Sequence, residues 1–172
     1  MNYICGFIIS LICTVGVGCS KNNNSQSISG KNPFGVKDVG EINYEEAQRF
    51  ASVSVLNGAD NDPNAEKWAE PQGLNGETGT IEGNWSSRWS GGSMGSEWSK
   101  GKAQIKKVDE TFFILYEDNG KYLIEGKKEQ ELLIGKYINL NNENDVGPWV
   151  GKIVSKDRID GRWPQGRWDF RR

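Results

Sequence analysis

The residues best suited to chemistry stand at the end of the chain, where arginine alternates with aspartate and tryptophan. Five of the seven arginines fall within the last fifteen residues, RIDGRWPQGRWDFRR. If this segment forms two antiparallel strands with its aromatic rings inward, the charged residues share the outer face and pair across the ladder. An exposed ion-pair network is the simpler interpretation. The alternative is a docking face for a phosphate, a carboxylate or an acidic glycan, with these candidates: Arg158, Asp160, Arg162, Arg167, Trp168 and Arg171.

Tryptophan is the second residue type suited to binding, since the chain contains seven of them. Trp85, Trp89 and Trp98 surround the loop at residues 90–95 and are candidates for a sugar-stacking platform. The full set of ligand-binding candidates combines tryptophans with one tyrosine: Trp85, Trp89, Trp98, Tyr116, Trp149 and Trp163. The alternative is that these rings fill the interior of the fold or cap its ends.

The composition argues against an enzyme. The chain has no histidine, and no serine stands in a recognisable nucleophile motif, which removes the common routes to acyl transfer and zinc hydrolysis. Glu82 with Asp118 is a remaining pair for carboxylate-based glycoside hydrolysis, although nothing in the sequence places the two opposite each other. We therefore predict no catalytic residue and no cofactor.

One loop has the alternating oxygen ligands of a calcium site. Asp60, Asp62 and Asn64 lie within residues 57–66, but Ala65 and Pro71 stand where such a loop needs glycine and glutamate. The sequence therefore favours a polar turn and predicts no metal site. Residues 141–145 are similarly rich in oxygen ligands and similarly unspecific.

The start of the chain indicates where the protein works. Residues 4–18 are an apolar run that is too short to span a bilayer but suits an export signal. The last residues of this run, followed by Cys19, resemble a bacterial lipobox: Gly16, Val17, Gly18 and Cys19. The resemblance implies that Cys19 is acylated and anchors the protein to the cell envelope, at the outer membrane or the cell surface. An ordinary signal peptide, or a start codon upstream of the true one, is the alternative.

The segments that follow divide the chain into four parts. Residues 20–31, SKNNNSQSISGK, are a polar tether that cannot bury apolar surface. We predict a signal peptide at 1–18, a lipidated tether at 19–40, a lead-in with short helices at 41–79 and a β-barrel domain at 80–172. Cys5 and Cys13 lie in the signal, so the mature chain keeps only Cys19 and cannot form a disulfide.

The charge balance limits the partners. With 21 basic and 23 acidic residues, the net charge of −2 provides no basic field for nucleic acid. We expect a monomer that meets the membrane through its lipid and binds a small ligand, a glycan or an envelope protein.

The order of elements follows from the hydrophobic pattern. Asn43 is placed to cap a helix that begins at Tyr44, and Asp62 before Pro63 is a second helix start, with Trp68 placed to dock on the barrel. From Thr80 the pattern has a period of two. It predicts eight strands, joined by short turns, at residues 80–89, 101–108, 111–117, 121–127, 131–140, 149–155, 158–163 and 167–170. An up-and-down β-barrel braced or plugged by the lead-in is the predicted fold, and an open sandwich is the alternative.

A repeated glycine pattern supports the barrel. Glycine stands two positions before a large residue in five places, so each glycine leaves room on the same face: Gly83 and Trp85, Gly135 and Tyr137, Gly151 and Ile153, Gly161 and Trp163, Gly166 and Trp168. The first pair resembles the Gly-x-Trp on the first strand of calycin barrels, the lipocalin and avidin group, which implies that Trp85 closes one end. Three segments, residues 81–85, 149–154 and 158–172, are also similar to a bacterial family that is uncharacterised.

Two functions of different kinds remain open. The barrel binds a small ligand or glycan among its tryptophans, or it acts as a non-catalytic interaction or inhibitor module through the C-terminal Arg/Trp face. A carboxylate-based hydrolase is the third and weakest alternative.

Overall fold

The computed structural model describes residues 32–54, 80–117 and 121–172. It contains one helix followed by eight antiparallel strands that close into a barrel. The elements are α1 (Tyr44–Ser54), β1 (Gly83–Gly91), β2 (Ser99–Val108), β3 (Thr111–Glu117), β4 (Lys121–Glu129), β5 (Leu132–Asn139), β6 (Asn142–Ser155), β7 (Arg158–Trp163) and β8 (Gly166–Arg171), with a 3-10 turn at Gly92–Met94. The predicted up-and-down barrel is confirmed.

Closure of the sheet occurs between the first and last strands. Ser87 in β1 is opposite Phe170 in β8 on one side and opposite Gly101 in β2 on the other. All remaining pairs in the barrel join strands that follow each other along the chain. Asp109 and Gln130 adopt positive φ angles of 53° and 55° in two of these turns, as tight hairpin turns do. The closed sheet has no free edge to pair with another chain.

The largest difference from the predicted strand bounds is at the start of β6. β6 begins at Asn142, whereas the sequence pattern placed its start at Trp149. The polar residues before Trp149 continue the hairpin with β5, and Ile138 is opposite Val146. These residues lie on a largely exposed extension of the ladder. Their polar sequence therefore did not predict a strand.

Aromatic rings in the interior need the glycines that the sequence places beside them. A Cβ at Gly151 would lie 2.2 Å from the Trp149 ring, and one at Gly161 would lie 2.9 Å from the same ring. Both glycines therefore make room for Trp149. The prediction that they serve Ile153 and Trp163 is wrong in this detail, because Trp149 leans across the neighbouring strand.

The lead-in braces the outer wall of the barrel. Val39 and Ile42 pack against Phe113, Leu123 and Ile138 on the outer faces of β3, β4 and β5. The packed part of the chain therefore includes residues that we assigned to the tether.

Helix α1 adds a second contact with this wall. Ala47 and Ala51 form one face, which packs against Ile134 and Val150. The Asn43 side-chain oxygen accepts a hydrogen bond from the Glu46 N–H at 3.1 Å, which confirms the predicted N-cap.

The remaining lead-in predictions lie outside the described residues: the Asp60, Asp62 and Asn64 loop, the helix start at Pro63 and the docking residue Trp68. Within the described ranges, no helix combines the length and the apolar character that crossing a bilayer requires.

Candidate functional site

The interior of the barrel is filled by side chains. Trp85 and Tyr116 are 0 % exposed and Trp149 is 1 % exposed. Tyr116 packs edge-on against Trp168 at 5.3 Å between ring centroids, and Trp149 packs similarly against Phe170 at 5.9 Å. Three of the predicted ligand-binding residues are thus parts of the core, and a ligand has no open path to them in this arrangement.

One end of the barrel is closed by the last residue of the chain. The Arg172 guanidinium lies 4.5 Å from the centre of the Trp85 ring. It also donates hydrogen bonds to the carbonyl oxygens of Glu82 and Thr80, while the Trp85 indole N–H donates to the Ile81 carbonyl at 2.9 Å. The expectation that Trp85 closes an end agrees with this packing, and sequence reasoning missed the part played by Arg172.

The opposite end carries a cluster of rings that we call the aromatic cup, formed by Trp89, Tyr122, Tyr137, Trp163 and Trp168. The ends of the odd-numbered strands and the starts of the even-numbered strands all meet at this end. The five rings extend from residues near these strand termini and converge. Trp163 stands nearly perpendicular to both Trp89 and Tyr137, with ring centroids 5.8 Å apart in each case.

The aromatic cup is shallow. Its gap has about 10 Å³ of room for the centre of a water molecule, enough for a single water. Trp168 and Tyr137 are buried at its floor, whereas Trp89, Tyr122 and Trp163 are half-buried at its mouth. A ligand at this end would therefore lie across the mouth and would not enter the barrel.

A carboxylate stands at the rim of the aromatic cup. Asp145 in β6 accepts hydrogen bonds from the Tyr137 hydroxyl at 3.2 Å and from the Asn139 amide nitrogen at 3.1 Å. The same amide nitrogen donates to the Tyr122 hydroxyl oxygen at 3.2 Å. These contacts link polar groups of three strands beside the rings, an arrangement typical of small-molecule sites that combine an apolar surface with a few fixed polar groups.

Both tyrosines of the aromatic cup stay protonated at neutral pH. Burial raises the pKa of Tyr122 and of Tyr137 above the ordinary tyrosine value, and the negative charge of Asp145 raises each pKa further. The hydroxyl of Tyr137 is therefore available as a hydrogen-bond donor, and the charge at the rim belongs to the carboxylate.

The structure separates the three tryptophans of the predicted stacking platform. Trp89 lies in the aromatic cup, Trp85 lies at the closed end, and Trp98 lies on the outer wall with the Arg88 guanidinium 3.9 Å from its ring centre. The platform prediction is wrong in its grouping, because the β1–β2 loop directs Trp98 away from the interior.

Two of the predicted ligand residues do meet, since Trp89 and Trp163 share the aromatic cup. Sequence reasoning missed Tyr122, Tyr137 and the rim carboxylate Asp145. Tyr122 lies at the start of a predicted strand and Tyr137 near the end of the next one. In an up-and-down barrel these two positions are at the same end, so the predicted strands could have placed both tyrosines beside Trp89 and Trp163.

The outer wall of β7 and β8 carries Arg158, Arg167 and Arg171, and their ion pairs there are buried. Asp160 pairs with Arg158 at 2.7 Å and with Arg171 at 2.6 Å. Asp169 pairs with Arg167 at 3.0 Å and with Arg88 at 3.4 Å. The predicted pairing is confirmed, but the predicted exposure is wrong, because both carboxylates have 0 % exposed side chains.

Burial affects the two carboxylates differently. Burial acts to raise the pKa of Asp160, but hydrogen bonds and charges from Arg158 and Arg171 outweigh it and lower that pKa. Burial dominates at Asp169 and raises its pKa despite the nearby arginines. Trp168, a predicted docking residue, points into the barrel core, and Arg162 is half-buried on this wall.

The described part of the chain bears on two other kinds of site, a metal centre and a carboxylate pair. There, no group of three or more histidine, cysteine, aspartate or glutamate side chains is arranged to hold a metal ion. Glu82 accepts a hydrogen bond from the Lys107 backbone N–H at 3.0 Å, and its proposed catalytic partner Asp118 lies outside the described residues.

Comparison with known proteins gives no match: no family model, no curated protein and no solved structure matches the chain.

Proposed function

We propose that this protein is an exported, lipid-anchored binding protein whose aromatic cup takes the flat face of a small ligand or a sugar ring. The observation that carries the proposal is the set of three half-buried rings at one end of an otherwise filled barrel: Trp89, Tyr122 and Trp163. Aromatic side chains with a polar group beside them are suited to ligands that combine apolar and polar faces.

The contacts available to a ligand are of two kinds. The rings at the mouth offer stacking, and an aromatic contact contributes about 0.5–1.5 kcal/mol beyond its buried area. The rim carboxylate Asp145 accepts only two hydrogen bonds in the described structure, so it has lone pairs left for a hydroxyl or amine. Because no deep pocket surrounds the ligand, we expect weak binding of a single ring and tighter binding of a ligand that covers the whole mouth.

The location of the protein is part of the proposal. The apolar start of the chain and the lipobox-like residues before Cys19 support export and acylation. An envelope position would bring the aromatic cup into contact with surface glycans and with small molecules outside the cytoplasm.

A second candidate function is docking of a partner protein on the outer wall. The half-buried Trp98 ring has the Arg88 guanidinium at 3.9 Å and that of Arg167 at 5.8 Å from its centre. A half-buried ring with two guanidinium groups beside it suits an acidic partner, and both groups also pair with Asp169. The buried ion pairs on this wall have a structural role as well, so we rank this function second.

Nuclear magnetic resonance of the full-length protein in detergent tests the proposal. We expect a neutral N-acetylglucosamine trisaccharide to shift the indole resonances of Trp89 and Trp163 and to leave that of Trp98 in place. Trp163→Ala should remove the binding, and Trp98→Ala is the matched control on the outer wall. Binding that is lost in Trp98→Ala and kept in Trp163→Ala would refute the proposed site.

A further inference from the structure

We infer that the aromatic cup selects a ligand that carries a positively charged ammonium group. This inference rests on the proposed function and specifies its ligand class. The geometry behind it is three aromatic rings at the mouth of the cup with a carboxylate at the edge: Trp89, Tyr122 and Trp163 with Asp145.

The rings provide the first attraction. The face of an aromatic ring carries negative charge density, so it attracts a cation that lies within about 6 Å of the ring centre. Trp163 meets Trp89 at 84° and Tyr137 at 86°, so a group at the mouth has ring walls in more than one plane. A compact, poorly hydrated cation such as a methylated ammonium fits such walls better than a flat anion does.

The carboxylate provides the second attraction. The Tyr137 hydroxyl and the Asn139 amide hold one oxygen of Asp145 each, so the carboxylate is fixed at the rim. In the described part of the chain no lysine or arginine forms an ion pair with Asp145, whereas Glu143 in the same hairpin pairs with Lys37. The negative charge of Asp145 is therefore open to a cation from outside.

Cations of the chain itself cover other rings. Arg88 lies over Trp98, Lys106 over Phe34 and Arg172 over Trp85. Among the described residues, no lysine or arginine lies over a ring of the aromatic cup. The cup thus combines the ring surface of a cation site with a fixed counter-charge, and it leaves the cation to be supplied by a ligand.

The small gap sets the position of the ligand. With about 10 Å³ of room for a water centre, the cup floor cannot take a whole trimethylammonium group. The group must rest across the mouth, against the half-buried rings and within reach of Asp145. A ligand with its charge at one end and a polar remainder pointing to solvent meets this requirement.

Choline and its neutral carbon isostere, 3,3-dimethylbutan-1-ol, test the inference. The two probes share shape and differ in charge, and both are titrated into the full-length protein in detergent while the Trp89 and Trp163 indole resonances are followed. We expect choline to bind about tenfold more tightly than the alcohol, which corresponds to about 1.4 kcal/mol. In Asp145→Asn the ratio of the affinity for choline to the affinity for the alcohol should fall to about one.

A matched control separates the rim charge from charge in general. Glu143→Gln removes a carboxylate from the same hairpin, and because Glu143 pairs with Lys37, this variant should keep the preference for choline. Thermal unfolding of both variants checks that the barrel remains folded. Retention of the preference in a folded Asp145→Asn variant would refute the role of the carboxylate.

The outcomes distinguish this inference from the proposed function. If the neutral trisaccharide and the alcohol shift the cup resonances as strongly as choline does, the inference is overturned and the proposed function stands. If neither probe nor the trisaccharide shifts them, both are overturned.

Discussion

Asp160 in β7 and Arg171 in β8 form an ion pair of 2.6 Å across neighbouring strands, with side chains that are 0 % and 6 % exposed. Arg158 completes the neutralisation of Asp160 at 2.7 Å. A charge in such a place is tolerated only because its partners are fixed around it. Ion pairs therefore stabilise the outer wall of β7 and β8, whereas apolar packing against the lead-in stabilises the opposite wall.

Removal of one member of this network should destabilise the barrel. Asp160→Ala removes the buried carboxylate that pairs with Arg158 and Arg171, and we expect a loss of about 3–5 kcal/mol in the free energy of unfolding. Glu117→Ala is the control, because it breaks the exposed pair with Lys121 and should cost less than about 1 kcal/mol. Urea unfolding followed by circular dichroism measures both, and equal losses would contradict the prediction.

Stability should fall as pH rises through neutrality because of Glu125. Burial, followed by the negative charge of Asp38, raises the pKa of this carboxyl from 4.5 to about 7. A pKa that is higher in the folded state than in the unfolded state means that folding favours the protonated form. The contribution of Glu125 to the free energy of unfolding is thus fully present below pH 4.5 and is lost as the pH rises through about 7.

Unfolding in urea at pH 5 and at pH 8 measures this dependence. A shift of this size corresponds to at most about 3 kcal/mol. The variant Glu125→Gln keeps the shape and removes the titration, so the difference between the two pH values should shrink. An unchanged difference in Glu125→Gln would assign the dependence to other groups.

The closed end of the barrel should depend on Arg172. Arg172→Ala removes the contact with the Trp85 ring and the hydrogen bonds to Glu82 and Thr80, and we expect a loss of about 3 kcal/mol. The indole resonance of Trp85 should shift, while that of Trp163 at the other end should not. Arg49→Ala on the exposed side of α1 is the control. No change in stability in Arg172→Ala would show that the end closes without it.

Membrane attachment should depend on Cys19. In cells labelled with a radioactive fatty acid, we expect the full-length protein to incorporate label and Cys19→Ser to lose it. Detergent phase partitioning should move the variant into the aqueous phase. Cys13→Ser, inside the apolar run, is the matched control and should remain labelled. Label retained in Cys19→Ser would refute acylation at this residue.

Local pattern accounts for the parts of the fold that sequence reasoning predicted. Alternation of apolar and polar residues determines which face of a strand is buried, and short polar turns determine that neighbours along the chain pair. The bounds of β3 and β7 were therefore predicted without error, at Thr111–Glu117 and Arg158–Trp163. The cap at Asn43 is local as well, since it depends on one hydrogen bond to Glu46. The start of β6 escaped prediction because its polar residues do not alternate with apolar ones and are held in the strand by pairing with β5.

The site was decided by tertiary structure. Closure of the sheet brings Trp89, Tyr137 and Trp163 from three different strands to one end, and no sequence spacing expresses that meeting. Burial of Asp160 and Asp169 likewise depends on what packs around the outer wall, not on the alternation of charges along β7 and β8. The sequence by itself determined the strands, their order and the ion pairing. Only the closed barrel decided which rings are buried in the core, which rings reach solvent and which charged groups are shielded from solvent. The reason is that strand alternation sets the face on which a residue lies, whereas curvature and packing set its neighbours.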